Sequence, residues 1–217
     1  MANKNLTEMV FILDRSGSMS GLEADTIGGY NSLLEKQRIE VGDATVTTVL
    51  FDDKYEMIHD HAAISKVKDI TNKEYFARGS TALLDAVGKT INHVGNRHKN
   101  ALDNEVPGKT MVVIITDGYE NASREYALPQ IKQMIEMQKE KYGWEFLFLG
   151  ANIDAVTTAA GFGISADRAV TYEADTKGTR MNFDAVSQVI GCARNCAPIA
   201  GNWKEGIEEY KRKKGRK

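Results

Sequence analysis

Three runs of apolar residues, each followed at once by polar or glycine-rich sequence, most constrain the fold of this 217-residue chain. The runs are MVFIL (9–13), MVVIIT (111–116) and EFLFLG (145–150). None of them alternates apolar with polar residues, as a strand with one solvent-exposed face would. Such runs are typical of strands that lie inside a parallel sheet with helices on both faces. They therefore predict the central strands of such a sheet. The residues expected to be buried on it are Val10, Ile12, Val113, Ile115, Phe146 and Phe148.

Between and after these runs, the sequence has the periodicity of amphipathic helices. Apolar residues recur at helical spacing at Leu84, Val87, Ile91 and Val94, and again at Leu128, Ile131 and Ile135. Ser20 and Glu23 have the spacing of a capping box, which predicts a helix from about Gly21 to Glu40.

The segment 44–64 is rich in β-branched residues and has a turn sequence at 52–54, which predicts a hairpin of two strands. A short strand near 169–174 and a helical C-terminus complete the order. Alternating strands and helices indicate an α/β fold. We expect a doubly wound, mostly parallel sheet with one antiparallel edge hairpin and helices on both faces.

Composition and charge argue against nucleic-acid-binding and membrane-spanning functions. The chain has 42% hydrophobic and 27% charged residues and a net charge of −2. Six basic residues lie in the segment 211–217, and without them the net charge would be −8. We therefore expect a single domain over 1–210 and a disordered basic tail over 211–217. The acidic body makes nucleic acid an unfavourable partner. No apolar run is long enough to cross a membrane. With no secretory pattern and only two cysteines, the expected location is cytoplasmic.

Short oxygen-bearing side chains follow the apolar runs. Asp14, Ser16 and Ser18 come directly after the first run, and Asp117 follows the second. Thr81 precedes a predicted helix between them. Ligands of open α/β sheets bind outside the carboxyl ends of the strands. Carboxylates and hydroxyls are hard ligands that suit Mg²⁺ or Mn²⁺, with Ca²⁺ as an alternative. These five residues therefore predict a divalent-cation site.

The motifs DRSGS (14–18), GST (79–81) and TDG (116–118) together resemble the metal-ion-dependent adhesion site of von Willebrand factor type A domains. The resemblance implies the Rossmann-like fold of that family over nearly the whole chain. It also implies that Ser16 and Ser18 bind the metal directly, that Asp14 acts mainly through a metal-bound water, and that Thr81 and Asp117 exchange direct and water-mediated ligation. The partner of such a site typically supplies a carboxylate that completes the metal shell.

Each residue also has a simpler interpretation. Ser16 and Ser18 could be turn residues, Thr81 a helix cap, and Asp117 part of a common Asp-Gly turn. His59 and His61 could lie on one face of a strand as zinc ligands, although the sequence indicates no third ligand. His93 and His98 are expected to face solvent.

The main hypothesis is a non-enzymatic, metal-dependent protein-binding module whose unknown protein partner supplies a carboxylate. The partner could be a component of a larger assembly, and no membrane is expected to be involved. One alternative is a Mg²⁺-dependent phosphohydrolase that uses Asp14, similar to haloacid dehalogenases. Its weakness is that Ser16 stands where those enzymes have a second acid. The other alternative is a scaffold with a vestigial metal site.

Overall fold

The computed structural model describes residues 2–215 and contains one six-stranded sheet. Its strands are β1 (Asn3–Asp14), β2 (Asp43–Phe51), β3 (Tyr55–Ala63), β4 (Pro107–Thr116), β5 (Glu145–Ala151) and β6 (Ala169–Tyr172). Its helices are α1 (Glu23–Arg38), α2 (Leu83–Asn100), α3 (Leu128–Tyr142), α4 (Ala155–Gly161), α5 (Thr176–Arg194) and α6 (Glu205–Lys214). The strand order is β3-β2-β1-β4-β5-β6. Every neighbouring pair is parallel except the β2–β3 hairpin. The α/β, doubly wound prediction with an antiparallel edge hairpin is confirmed.

The direction in which the sheet is built reverses between β1 and β4. From β1, the chain adds β2 and β3 on one side, and β4, β5 and β6 on the other. Crossover connections leave β1 and β4 in opposite directions, so a crevice forms outside their carboxyl ends. This position in the fold is where the DRSGS and TDG motifs lie.

Both faces of the sheet are buried, which explains the absence of alternation in the apolar runs. On one face, Phe11, Leu13 and Val113 belong to a cluster that includes residues of α1, α5 and α6. On the other, Val10 and Ile12 belong to a cluster with residues of α2 and α3. The six residues predicted to be buried are each at most 2% exposed: Val10, Ile12, Val113, Ile115, Phe146 and Phe148.

The first helix begins later than its sequence pattern predicts. Ser20 is not its N-cap, because a 3₁₀ turn over Gly17–Met19 occupies the chain before it. Gly21 then takes a left-handed φ of 90°, and its N–H donates to Glu23 Oε2 at 2.7 Å. The helix starts at Glu23, and the acidic side chain satisfies a main-chain donor that lies ahead of the helix.

The basic segment at the end of the chain is also more ordered than predicted. Helix α6 includes 211–214, where the sequence pattern predicts a disordered tail; residues 216 and 217 lie outside the described residues. Lys213 pairs with Glu209 at 2.7 Å, and Lys214 pairs with Asp175. Acids placed one helical turn earlier and on a neighbouring segment therefore extend the helix into the basic stretch. None of the helices within 2–215 combines the length and apolar character that a membrane span needs.

Candidate metal centre

The candidate site lies at the carboxyl ends of β1 and β4. Asp14 is the last residue of β1, and Asp117 directly follows the last residue of β4. Because these two strands are hydrogen-bonded neighbours, the two carboxylates come from adjacent points on the sheet edge. The loop that precedes α2 carries Thr81 over the same edge.

Three hydroxyl groups converge there. The Ser16 and Ser18 Oγ atoms are 3.1 Å apart, and Thr81 Oγ1 donates to Ser16 Oγ at 3.0 Å. The 3₁₀ turn over Gly17–Met19 brings the two serines to the same side, since its tight winding turns the chain between them. Ser16 and Thr81 are buried, whereas Ser18 is exposed, so the cluster opens to solvent on the Ser18 side.

The Asp14 carboxylate lies beneath the hydroxyls and is 1% exposed. Its Oδ1 accepts from the Ser16 N–H at 2.6 Å, and its Oδ2 accepts from Thr116 Oγ1 at 2.6 Å. The Asp117 N–H adds a longer bond of 3.3 Å to Oδ2. Asp14 therefore orients the turn that carries the serines. The Asp117 carboxylate, also buried, accepts a short hydrogen bond from the Asn152 side chain.

Both carboxylates lack a cationic partner among the described residues. Within 2–215, no lysine, arginine or histidine forms an ion pair with Asp14 or Asp117. Burial raises the pKa of Asp14, and hydrogen bonds from Ser16 and Thr116 oppose this increase. Burial, with a smaller contribution from the Asp14 charge, raises the pKa of Asp117 to about 6. Two buried acids without a counter-ion beside three hydroxyls are a donor set that fits a small, hard divalent cation.

Thr81 is held in place by the loop after β4. Its N–H donates to Asn121 Oδ1 at 2.9 Å, and its carbonyl accepts from the Asn121 N–H at 3.0 Å. Between these loops, Gly118 leaves space over the hydroxyls. A Cβ at this position would lie 3.2 Å from Ser18 Oγ and 3.6 Å from Thr81 Oγ1. The glycine therefore keeps the approach to the cluster open.

The structure brings together all five residues that the sequence singles out: Asp14, Ser16, Ser18, Thr81 and Asp117. Thr81 is not a helix cap, because α2 has Ala82 as its N-cap with no side-chain hydrogen bond. Thr116, Asn121 and Asn152 are additional contacts of the site: Thr116 is the last residue of β4, and Asn121 and Asn152 lie in the polar segments after β4 and β5. Tyr75 donates to the Asp14 carbonyl at 2.5 Å from a loop with no recognisable motif.

The histidines form no comparable site. His59 Nδ1 pairs with Thr48 Oγ1 at 3.1 Å, while His61 faces Glu8 at 3.5 Å. In the described part of the chain, no three residues among His, Cys, Asp and Glu form a group that could hold a metal. The solvent-facing prediction is wrong for His98, whose Nε2 lies 2.6 Å from the buried Glu8 carboxylate. Strand β1 begins six residues before its apolar run and so places Glu8 beneath α2.

Comparison with solved structures supports the fold, whereas comparison of sequences finds no match. No protein-family model matches the chain, and no curated protein matches it in sequence. Among solved structures, proximal thread matrix protein 1 from the mussel byssus, with a zinc-occupied MIDAS motif, is 14% identical with a TM-score of 0.57. The match covers 85% of this chain and 46% of that one.

Two further structures give the same result. A von Willebrand factor type A protein from Catenulispora acidiphila is 14% identical with a TM-score of 0.56, over 86% of this chain and 42% of that one. The ArnB paralog VWA2 from Sulfolobus acidocaldarius is 15% identical with a TM-score of 0.53, over 86% and 45%. This chain thus spans less than half the length of these relatives. It has the fold of a von Willebrand factor type A domain.

Proposed function

We propose that the chain is a non-enzymatic, metal-dependent protein-binding module that holds a divalent cation, Mg²⁺ in the first instance, at the strand ends. The residues proposed to hold it are Asp14, Ser16, Ser18, Thr81 and Asp117. One observation carries the proposal: three hydroxyls converge on two buried carboxylates that have no cationic partner among residues 2–215. A mussel byssus protein of the same fold has a zinc-occupied MIDAS motif, which supports a divalent cation.

The cation would supply an electrophilic centre for an oxygen ligand of a partner. Three of the five proposed ligands are neutral hydroxyls, which are weak donors, so the cation would stay electrophilic although the two carboxylates balance its formal charge. A carboxylate from a protein partner suits such a centre. Access is available where Ser18 and its neighbour Gly17 are exposed and where Gly118 leaves space.

The hydrogen bonds of Asp14 favour binding over hydrolysis. Both of its carboxylate oxygens accept bonds from the protein, and the side chain is 1% exposed. A nucleophilic aspartate needs a free oxygen aimed at the substrate phosphorus. Asp14 is better arranged to position Ser16 and Asp117 than to attack a phosphoester. A cytoplasmic location remains a prediction from the sequence.

Titration of the protein with Mn²⁺ in a calorimeter tests the proposal. We expect one site per chain in the wild type and its loss in Asp117→Asn, which removes a charge but keeps the shape of the side chain. Asp167→Asn, an exposed aspartate on a turn away from the sheet edge, is the matched control and should bind Mn²⁺ as the wild type does. Absence of binding in the wild type would contradict the proposal.

A further inference from the structure

Arg15, the second residue of the DRSGS motif, is buried, and its guanidinium donates to acidic side chains and a main-chain carbonyl. Its Nε donates to Asp52 Oδ2 at 3.0 Å, and one terminal nitrogen donates to Glu56 Oε2 at 2.6 Å. The other terminal nitrogen donates to the Glu74 carbonyl at 3.1 Å. Arg15 is 1% exposed and Asp52 is completely buried. A buried arginine keeps its charge, so this position requires the acids that surround it.

Asp52 links Arg15 to the loop that carries Thr81. The same Oδ2 atom that accepts from Arg15 also accepts from Arg78 Nε at 2.6 Å. The Asp52 main-chain carbonyl accepts from the Ala82 N–H at 2.9 Å, and Ala82 directly follows Thr81. Asp52 therefore contacts the Thr81 loop at both its side chain and its main chain.

Main-chain hydrogen bonds join the same two loops. The Arg78 N–H donates to the Arg15 carbonyl at 2.8 Å, and the Gly17 N–H donates to the Gly79 carbonyl at 3.1 Å. These bonds flank Ser16 on one loop and lead into Thr81 on the other. The Ser16–Thr81 hydroxyl contact thus depends on two chain segments whose relative position is set at Arg15, Asp52 and Arg78.

The charges in this group balance. Arg15 and Arg78 face Asp52 and Glu56, so the group adds no net positive charge beside a cation site. The Phe76 ring lies 5.7 Å from the Arg15 guanidinium carbon and 4.9 Å from that of Arg78, which covers both cations on one side. Such packing restricts the rotation of both side chains.

We infer that Arg15, Asp52 and Arg78, here called the arginine clamp, position Ser16 and Thr81 relative to each other for cation binding. This inference rests on the proposed function, because it assigns the two hydroxyls a common ligand. The clamp residues would touch neither cation nor partner, and they would act through the two loops. Groups that orient metal ligands commonly change metal affinity by about 10–100-fold when removed.

The test uses Mn²⁺ titration calorimetry on Arg78→Gln and Arg15→Lys, at a temperature where each metal-free variant is folded by circular dichroism. Arg78 is 36% exposed, so its replacement should be tolerated by the fold. We expect the Mn²⁺ Kd to rise about 10-fold in Arg78→Gln. A similar rise is expected in Arg15→Lys, because the lysine ammonium cannot reproduce the planar set of guanidinium donors. Arg38→Gln is the matched control, since Arg38 is a partly buried arginine of α1 that pairs with Asp69 at 3.0 Å. It should keep the wild-type Kd.

A double mutant separates positioning from a general loss of stability. If the clamp acts through Thr81, then Arg78→Gln should weaken Mn²⁺ binding little further in a Thr81→Ala background, whereas independent effects would add. Folded variants that keep the wild-type Kd, or additive losses in the double mutant, would overturn the positioning role alone. A wild type that binds no Mn²⁺ would overturn the proposed function and this inference with it.

Discussion

The Thr81 hydroxyl donates to Ser16 Oγ at 3.0 Å across 65 residues of sequence. The contact joins the loop after β1 to the loop before α2, and both loops lie over the buried Asp14 carboxylate. Neither hydroxyl needs the other to satisfy a turn or a helix cap. Their meeting above an acid that has no counter-ion among residues 2–215 is the central observation of the proposed cation site.

Gly118→Ala should weaken cation binding without unfolding the protein. The added Cβ would lie 3.2 Å from Ser18 Oγ, tight enough to displace the hydroxyl. We expect a Mn²⁺ Kd raised by about 10-fold, which is the lower end of the range for groups that orient ligands. Gly28→Ala is the control: its Cβ meets nothing within 4 Å on α1, and it should slightly raise stability at unchanged Kd. An unchanged Kd in Gly118→Ala would show that this space does not matter to the site.

Ile115→Ala should destabilise the protein by about 2–5 kcal/mol, because it leaves a cavity at the centre of the sheet. Ile115 is 2% exposed on β4, directly before the strand end that supports the site. Urea unfolding in EDTA measures the change. Ile39→Ala, where the side chain is 85% exposed, should change the free energy of unfolding far less. Equal effects of the two substitutions would contradict the buried strand.

Stability should fall in acid partly because of Glu8. Burial opposes the ionisation of Glu8, but the His98 hydrogen bond, the nearby His61 ring and the charge of Arg97 outweigh it and hold the Glu8 pKa well below its usual value. A carboxyl with a lowered pKa in the folded state stabilises the protein above its unfolded pKa. That contribution is lost as the pH falls from there toward the folded pKa.

Glu8→Gln tests this dependence by urea unfolding between neutral pH and about pH 3, a range that includes the ordinary glutamate pKa near 4.3. The free energy of unfolding of the variant should be lower by about 3 kcal/mol at neutral pH, because Arg97 and His98 would remain in place without the carboxylate that they contact. Its stability should also decline less steeply in acid than that of the wild type. Glu136→Gln, at a half-buried glutamate of α3 whose side chain is 46% exposed, should leave the pH profile unaltered. Parallel profiles for the wild type and Glu8→Gln would contradict the assigned role.

A carboxylate partner should bind only in the presence of the cation. On an array of blocked peptides that differ by a single Asp or Asn, we expect capture of this chain by the Asp peptides in Mg²⁺ and release by EDTA. The reason is that asparagine offers a neutral amide oxygen, a weaker ligand for a hard cation. Binding that ignores both the substitution and the chelator would instead favour the scaffold alternative.

The sequence predicts which site residues lie close together along the chain better than it predicts the contacts between residues that are far apart in sequence. Asp14, Ser16 and Ser18 lie within five residues at the end of one strand, so the sequence alone places them near one another. The Thr81–Asn121 pair and the Tyr75 contact join separate loops, and no periodic pattern encodes them. Sequence spacing could locate the loops but not their mutual contacts.

Two wrong predictions have the same kind of cause. The capping box at Ser20 is locally reasonable, but the turn that carries Ser18 uses the residues before the helix. His98 has the spacing of an exposed helical residue, yet β1 extends far enough to place Glu8 under it. In both cases a tertiary contact takes part: the Gly17 N–H of that turn donates to the Gly79 carbonyl at 3.1 Å, and His98 contacts Glu8.

The most direct test of the central claim is the melting temperature of the wild type and Asp14→Asn in EDTA and with rising Mg²⁺ or Mn²⁺. A ligand that binds only the folded state at 100 times its Kd adds about 2.7 kcal/mol of stability. We predict a concentration-dependent rise in the wild type and none in Asp14→Asn, whose melting temperature in EDTA should equal or exceed that of the wild type because one buried charge is removed. No rise in the wild type, or the same rise in both proteins, would contradict a cation site at Asp14.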